Sequence, residues 1–166
     1  MARSIFTGKG KLFWVADPTG AGTVVTLTAP TATQINTGVD ITKFLRRGTL
    51  QTPQSGNLVD TSDASSRFNS TDLGTFGGDK LTATFYRDSA TGTDTCWPLL
   101  ASGLRGFLAV IAWGTAGASP AAADRLWVYQ TAVNTRTPLV GAENDPILFS
   151  VEFAVTSPPN LDATLV

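Results

Sequence analysis

Alternation of apolar and polar positions is the clearest signal in this 166-residue chain. In "ILFSVEFAVT", Ile147, Phe149, Val151, Phe153 and Val155 share one parity, while Ser150, Glu152 and Thr156 take the other. Period two with one apolar side is the signature of a half-buried antiparallel strand. "KLTATFYR" repeats it, with Leu81, Ala83 and Phe85 opposite Thr82, Thr84 and Tyr86. "RLWVYQTAV" predicts a third strand, and "GFLAVIAW" a fourth whose unbroken apolarity implies cover on both faces. "KLFWVA" and "TVVTLTA" predict two more, joined by a turn at Asp17-Pro18-Thr19-Gly20. Many short strands in succession imply a mainly β chain, an antiparallel β-sandwich or barrel.

Two short helices flank that framework. In "LTAPTATQINTGVDITKFL" Thr31 can cap a first turn, Gln34 stands three residues later as the return partner of a capping box, and Gly38 can end the helix. In "TDTCWPLLASGLRG" Asp94 or Thr95 can cap, Pro98 suits a first turn, and Gly103 and Gly106 bracket the stop. Trp97, Leu100 and Leu104 fall at helical spacing, so one side of this helix is expected to pack on the sheets.

From Leu50 to Asp79 the chain is polar and rich in Gly and Ser, a long loop by its composition. Its embedded Leu58, Val59, Phe68, Leu73 and Phe76 predict that it docks on something. The tail from residue 157 to 166 reads as an extended arm, because Pro158-Pro159 blocks helix and central strand alike. The length fits one compact domain over residues 1–166, with an interaction loop at about 50–79 and the arm at 157–166.

Composition narrows the function classes. Hydrophobic residues make up 42% and charged residues 15%, with a net charge of −1 and basic and acidic residues intermixed. Arg46-Arg47 is the sole adjacent basic pair, so tight nucleic-acid binding is not expected. A surface past which DNA slides is compatible with this balance. The longest apolar run, "FLAVIAW", is far below a bilayer span, and the start of the chain has no secretory pattern, so a cytoplasmic origin without membrane binding is expected.

Catalytic and cofactor chemistry finds little support. With no histidine and one cysteine, Cys96, the chain offers no disulfide, no usual zinc site and no His-based triad. Cys96 beside Trp97 reads as packing rather than as a nucleophile. Asp60, Asp63 and Asp72 lack EF-hand spacing, only Glu143 and Glu152 are glutamates and Glu152 sits mid-strand without an evident acidic mate, and "GKGK" and "FGGD" are not phosphate loops. Trp14, Trp97, Trp113 and Trp127 could stack on sugar, but three fall in predicted strands, where burial is the simpler reading. No enzyme activity, metal or cofactor is expected.

The order of pieces resembles a known family. "LTAPTATQINTGVDITKFL", "TSDASSRFN", "LTATFYRD", "DTCWPLLASGLRGFLAV" and "FSVEFAVTSPP" follow one another as in the major tail tube proteins of long-tailed bacteriophages, particularly those of actinobacterial hosts. The likeness runs from about Leu27 to Pro159. It implies a small β-sandwich flanked by a helix, six copies of which close into a ring that shares an inner β-barrel. Stacked rings then form the virion tail tube through which the genome leaves, assembled in the host cytoplasm. The implied partners are further copies, the tape measure, tail tip and terminator proteins, and DNA in transit.

On that resemblance, loops and arms reach neighbouring copies. The interface candidates are Leu58, Val59, Phe68, Asn69, Leu73 and Phe76 in the loop and Leu161 and Val166 in the arm. Thr82, Thr84, Ser150 and Glu152, on polar strand faces, are candidates for a lumen wall. Thr31, Gln34, Trp97 and Leu100 are expected to cap and pack the helices. Two other readings compete: a tail terminator or head–tail joining ring, and a monomeric carbohydrate-binding β-sandwich that uses its tryptophans.

Overall fold

The structure, a computed structural model, describes residues 10–52, 54–60, 71–78, 80–87, 94–113, 119–143 and 145–166; of 54–60, 71–78 and 112–113 it describes the backbone. Among the described residues nine strands and two short helices follow one another. They are β1 (Lys11–Ala16), α1 (Ala32–Asn36), β2 (Val39–Asp40), β3 (Gln54–Asp60), β4 (Thr71–Gly78), β5 (Leu81–Tyr86), α2 (Cys96–Leu99), β6 (Arg105–Trp113), β7 (Arg125–Leu139), β8 (Leu148–Val155) and β9 (Asn160–Thr164), with a 3-10 turn at Thr42–Phe44. All strand pairs are antiparallel, and the main sheet runs β2-β1-β6-β7-β8-β5, with β9 on β7 beside β8.

One face of this sheet encloses the larger core. Leu12, Trp14, Leu108, Val110, Tyr129, Val133, Phe149, Val151, Phe153, Leu81, Ala83 and Phe85 all lie there, buried. Trp14 and Phe153 meet with ring centroids 5.7 Å apart. Their strands are three steps apart in the sheet, about 14 Å if it were flat. The sheet must therefore curl around this core as a partial barrel, closed by Ile41, Phe44, Cys96 and Leu100. Gly106 permits the curl, since a Cβ there would stand 2.5 Å from the Val15 carbonyl and 2.8 Å from the Trp14 ring.

The opposite face is divided. Over β1, β6, β9 and the first half of β7 it carries Phe13, Val15, Phe107, Ala109, Ile111, Leu126, Val128 and Ala163, which cluster with Leu165 and are covered by Ile35 of α1 and Val25. This explains the continuous apolarity of "GFLAVIAW" and "KLFWVA": both strands bury both faces. Over β5, β8 and the second half of β7, nothing among the described residues covers the sheet in this way.

Several expectations change. "TVVTLTA" is not a strand: Val25 plugs the second core, and Thr26 is tied to Gln34 through its amide at 3.4 Å and its hydroxyl at 3.3 Å, so local contacts replace a ladder. The second helix is a single turn. Gly103 donates to the Val133 carbonyl and Leu104 accepts from Val133, both at 2.8 Å, which draws the chain into the sheet, leaves Leu104 43% exposed and places Gly106 inside β6. The stretch read as a loop carries the β3–β4 hairpin, and β7 continues six residues beyond "RLWVYQTAV". The arm is not free: β9 pairs with β7, Val166 donates to Pro30 and Ala32 donates to Val166. Ile147, assigned to the apolar side of its strand, precedes β8 and is 48% exposed.

Candidate assembly surfaces

Strand register brings the four lumen candidates together. Thr82 lies opposite Glu152, and Glu152 opposite Thr135; Thr84 lies opposite Ser150, and Ser150 opposite Thr137. Cross-strand partners share a face, so these residues form two polar rows across β5, β8 and β7. A third row, Tyr86–Leu148–Leu139, follows toward the β7–β8 tip and is apolar. Thr135 and Thr137 escape a reading of the sequence because Asn134 is a bulge that shifts the parity of β7, and because Pro138 reads as a strand stop.

Glu152 is the acid of the polar field. Its carboxylate accepts from Lys80 Nζ at 2.7 Å. The hydrogen bond from Lys80 holds its pKa below the usual carboxylate range against a smaller opposing effect of burial, helped by the Lys80 charge, Thr135 and Asn134. The pair leaves this face close to neutral, and hydroxyls dominate the rest.

The sheet edges differ. Outside β5, Arg46 donates to the Thr84 carbonyl, Gln51 and Thr82 exchange hydrogen bonds, and the Thr84 amide donates to Thr49 Oγ1 at 3.1 Å. That edge is sealed. On the β6 side of β7, pairing with β6 stops at Ala132, and no other strand among the described residues flanks the rest. Pro138 is tolerated there because an open edge needs no donor, and it confines the open stretch to about four residues.

The interface candidates separate. Leu58 lies opposite Leu73, Val59 opposite Asp72 and Gly56 opposite Phe76 in the hairpin, while Phe68 and Asn69 lie outside the described residues. Thr52, at the foot of the hairpin, hydrogen-bonds to the Tyr129 hydroxyl; burial raises the Tyr129 pKa and this bond opposes it. Leu161 is 39% and Val166 67% exposed on the opposite end of β7 from the β7–β8 tip.

The helix residues act as packing and caps. Thr31 Oγ1 accepts from the Gln34 amide at 3.1 Å and Gln34 Oε1 accepts from the Thr31 amide at 3.0 Å. Asp94 caps α2 through the Trp97 amide at 3.1 Å and pairs with Arg87 Nε at 2.7 Å. Trp97 lies between Arg87 and Arg136, whose guanidinium carbons stand 4.6 and 3.6 Å from its ring centroid, and meets Phe149 edge-on at 5.1 Å. Leu100 is fully buried. Trp14 is buried, and Trp97 and Trp127 are partly buried against the larger core, which is packing for all three described tryptophans. Burial, then the Asp94 charge, pushes the Cys96 thiol up to about 12, so it is a packing group and not a ready nucleophile.

Residues 1–166 match the model of the family described as "Phage tail tube protein". No curated protein matches the chain by sequence. Among solved structures, a chain of the "anti-feeding prophage (AFP) baseplate, 6-fold symmetrised" shares the fold with a TM-score of 0.62 at 7% identity, over 96% of each chain. A "Hcp protein" aligns over 91% of this chain and 96% of its own with 11% identity, but at a TM-score of 0.39 it carries no argument.

Proposed function

The chain belongs to the phage tail tube protein family, and from that premise we propose that its copies close into rings of six whose open polar sheet faces line the channel for the genome. It is a structural component of the virion tail that assembles with copies of itself into a tube. The observation that supports the lumen reading is the uncovered field Thr82–Glu152–Thr135 and Thr84–Ser150–Thr137. A wall of hydroxyls with its acid neutralised by Lys80 neither grips phosphates nor repels them strongly, which suits passage without adhesion. The fold shared with a sixfold baseplate protein supports six copies.

Edges and arms do the joining. The open stretch of β7 near Asn134–Thr137 pairs with a neighbour within the ring and loses its exposed backbone groups. A two-stranded hairpin is marginal by itself, so β3–β4 docks on an adjacent copy through Leu58, Val59, Leu73 and Phe76, with Phe68 and Asn69 at its connection. Leu161 and Val166 add contacts from the arm. Assembly takes place in the host cytoplasm, with the tape measure, tail tip and terminator proteins as further partners.

Sedimentation and negative-stain imaging of the concentrated protein test this. Hollow tubes are the expected result. A population that stops at single rings would assign the chain to a terminator or joining role, and one that stays monomeric, even with a tail-tip initiator, would overturn the assembly reading.

A further inference from the structure

The apolar rim at the β7–β8 tip is an exposed surface that the polar field does not explain. Leu139 is 39%, Val140 88% and Ile147 48% exposed. Leu139 and Val140, with Tyr86, Pro146, Leu148 and Arg46, border a groove of about 320 Å³. The tip is a built turn: Ala142 donates to Asp145 Oδ2 at 3.0 Å, Asp145 donates back to the Ala142 carbonyl at 3.0 Å, and a Cβ on Gly141 would stand 2.6 Å from Asp145 Cβ. Val140 precedes these bonds and is the most exposed large hydrophobic side chain among the described residues.

The groove has charge as well as shape. Arg46 is exposed and forms no ion pair among the described residues, whereas Asp145 is occupied by the turn. At the other end of β7, β9 presents Leu161 and Asp162, an apolar residue next to an acid whose side chain is 76% exposed. Asp162 has only a 3.4 Å contact with the equally solvated Arg125, a pairing of little strength. From Val128, which faces Asn160, to Leu139 the strand extends about 36 Å. The two surfaces therefore lie far apart on one subunit and cannot satisfy each other within it.

We propose that this rim is the axial contact of the tube: the groove at the β7–β8 tip of one copy receives Leu161 and Asp162 of a second copy in the next ring, with Val140 against Leu161 and Arg46 opposite Asp162. The inference rests on the tube-forming reading above. Complementary surfaces at opposite ends of a strand make a heterologous contact that does not close, and such contacts propagate rings into a column. The apolar rim begins where the polar field ends, so stacking seals the wall at the edge of each ring and leaves the hydroxyl rows facing the channel.

The test compares polymer formation by the wild-type chain with Val140→Asp, Arg46→Glu, Asp162→Arg and the double variant Arg46→Glu/Asp162→Arg. Each monomer's melting curve is checked first, since all three positions are exposed. Val140→Asp should leave single rings while reducing tubes at least tenfold. Each charge variant should raise the concentration needed for tubes by a factor of about three, and the double variant should recover it. Val140→Cys combined with Leu161→Cys should give a ladder of covalent oligomers on oxidation. Tubes from Val140→Asp equal to wild type, loss of rings along with tubes, a double variant no better than its parents, or oxidation without a ladder would each overturn the axial assignment while wild-type tubes leave the family reading standing. Failure of the wild-type chain to form tubes would strike the tube-forming reading first.

Discussion

At the residue scale the predictions follow from single groups with defined partners. Thr31→Ala removes one half of a reciprocal cap and should cost about 1 kcal/mol in chemical denaturation; no change in midpoint would contradict the role. Burial raises the Asp17 carboxyl, but hydrogen bonds from Gly22, Thr19 and Gly20 together outweigh it and hold the pKa below 3.8. Because the folded value lies below the unfolded one, the stability Asp17 supplies is complete above the ordinary value and is lost as pH falls through the folded value. Asp17→Asn should flatten the loss of stability on acidification below the ordinary carboxylate range, measured by urea unfolding at each pH; an acid limb as steep as wild type would contradict this. The capping box was legible because it is a spacing within four residues. The function of Gly106 was not, because the ring it makes room for belongs to a strand some ninety residues earlier in the chain.

At the element scale, strands with one buried face announced themselves, and those governed by their neighbours did not. β5 and β8 follow the predicted parity through Leu81–Tyr86 and Phe149–Val155. Phe153 sits fully buried between β5 and β7 against Trp14, so Phe153→Ala should cost about 3–5 kcal/mol; a loss below 1 kcal/mol by denaturant titration would count against that core. The second half of β7 hid behind a bulge and a proline, β9 behind Pro158-Pro159, and β3 and β4 behind glycines and serines whose ladder bonds leave no periodic trace. The polar field was half legible for the same reason: Thr82, Thr84, Ser150 and Glu152 followed from alternation, whereas Thr135 and Thr137 needed the register. Glu152→Lys would place a second cation beside Lys80 in every copy. Tubes should still form and genome ejection should slow, timed in phage carrying the variant; wild-type ejection kinetics, or loss of tubes, would contradict a lumen position.

At the scale of the whole molecule, the asymmetry of the sheet organises the account. One face carries a core drawn from β1, β6, β7, β8 and β5, and the other is covered by α1 and Val25 over half its extent, while nothing among the described residues covers the remainder. Among the described residues, a sheet face without cover and a short open stretch of β7 beside the sealed edge of β5 are difficult to reconcile with a solitary β-sandwich and natural in a subunit completed by copies of itself. None of this can be read from composition, since the apolar fraction is ordinary and the decisive fact is where it stops. The most direct measurement is a cryo-EM map of tubes assembled from the purified chain, resolved well enough to follow strands. The account predicts Thr82, Thr84, Thr135, Thr137, Ser150 and Glu152 around an open channel, with β5, β8 and β7 of adjacent copies forming its wall. A map with that face on the outer surface, or packed against a neighbouring subunit, would contradict it.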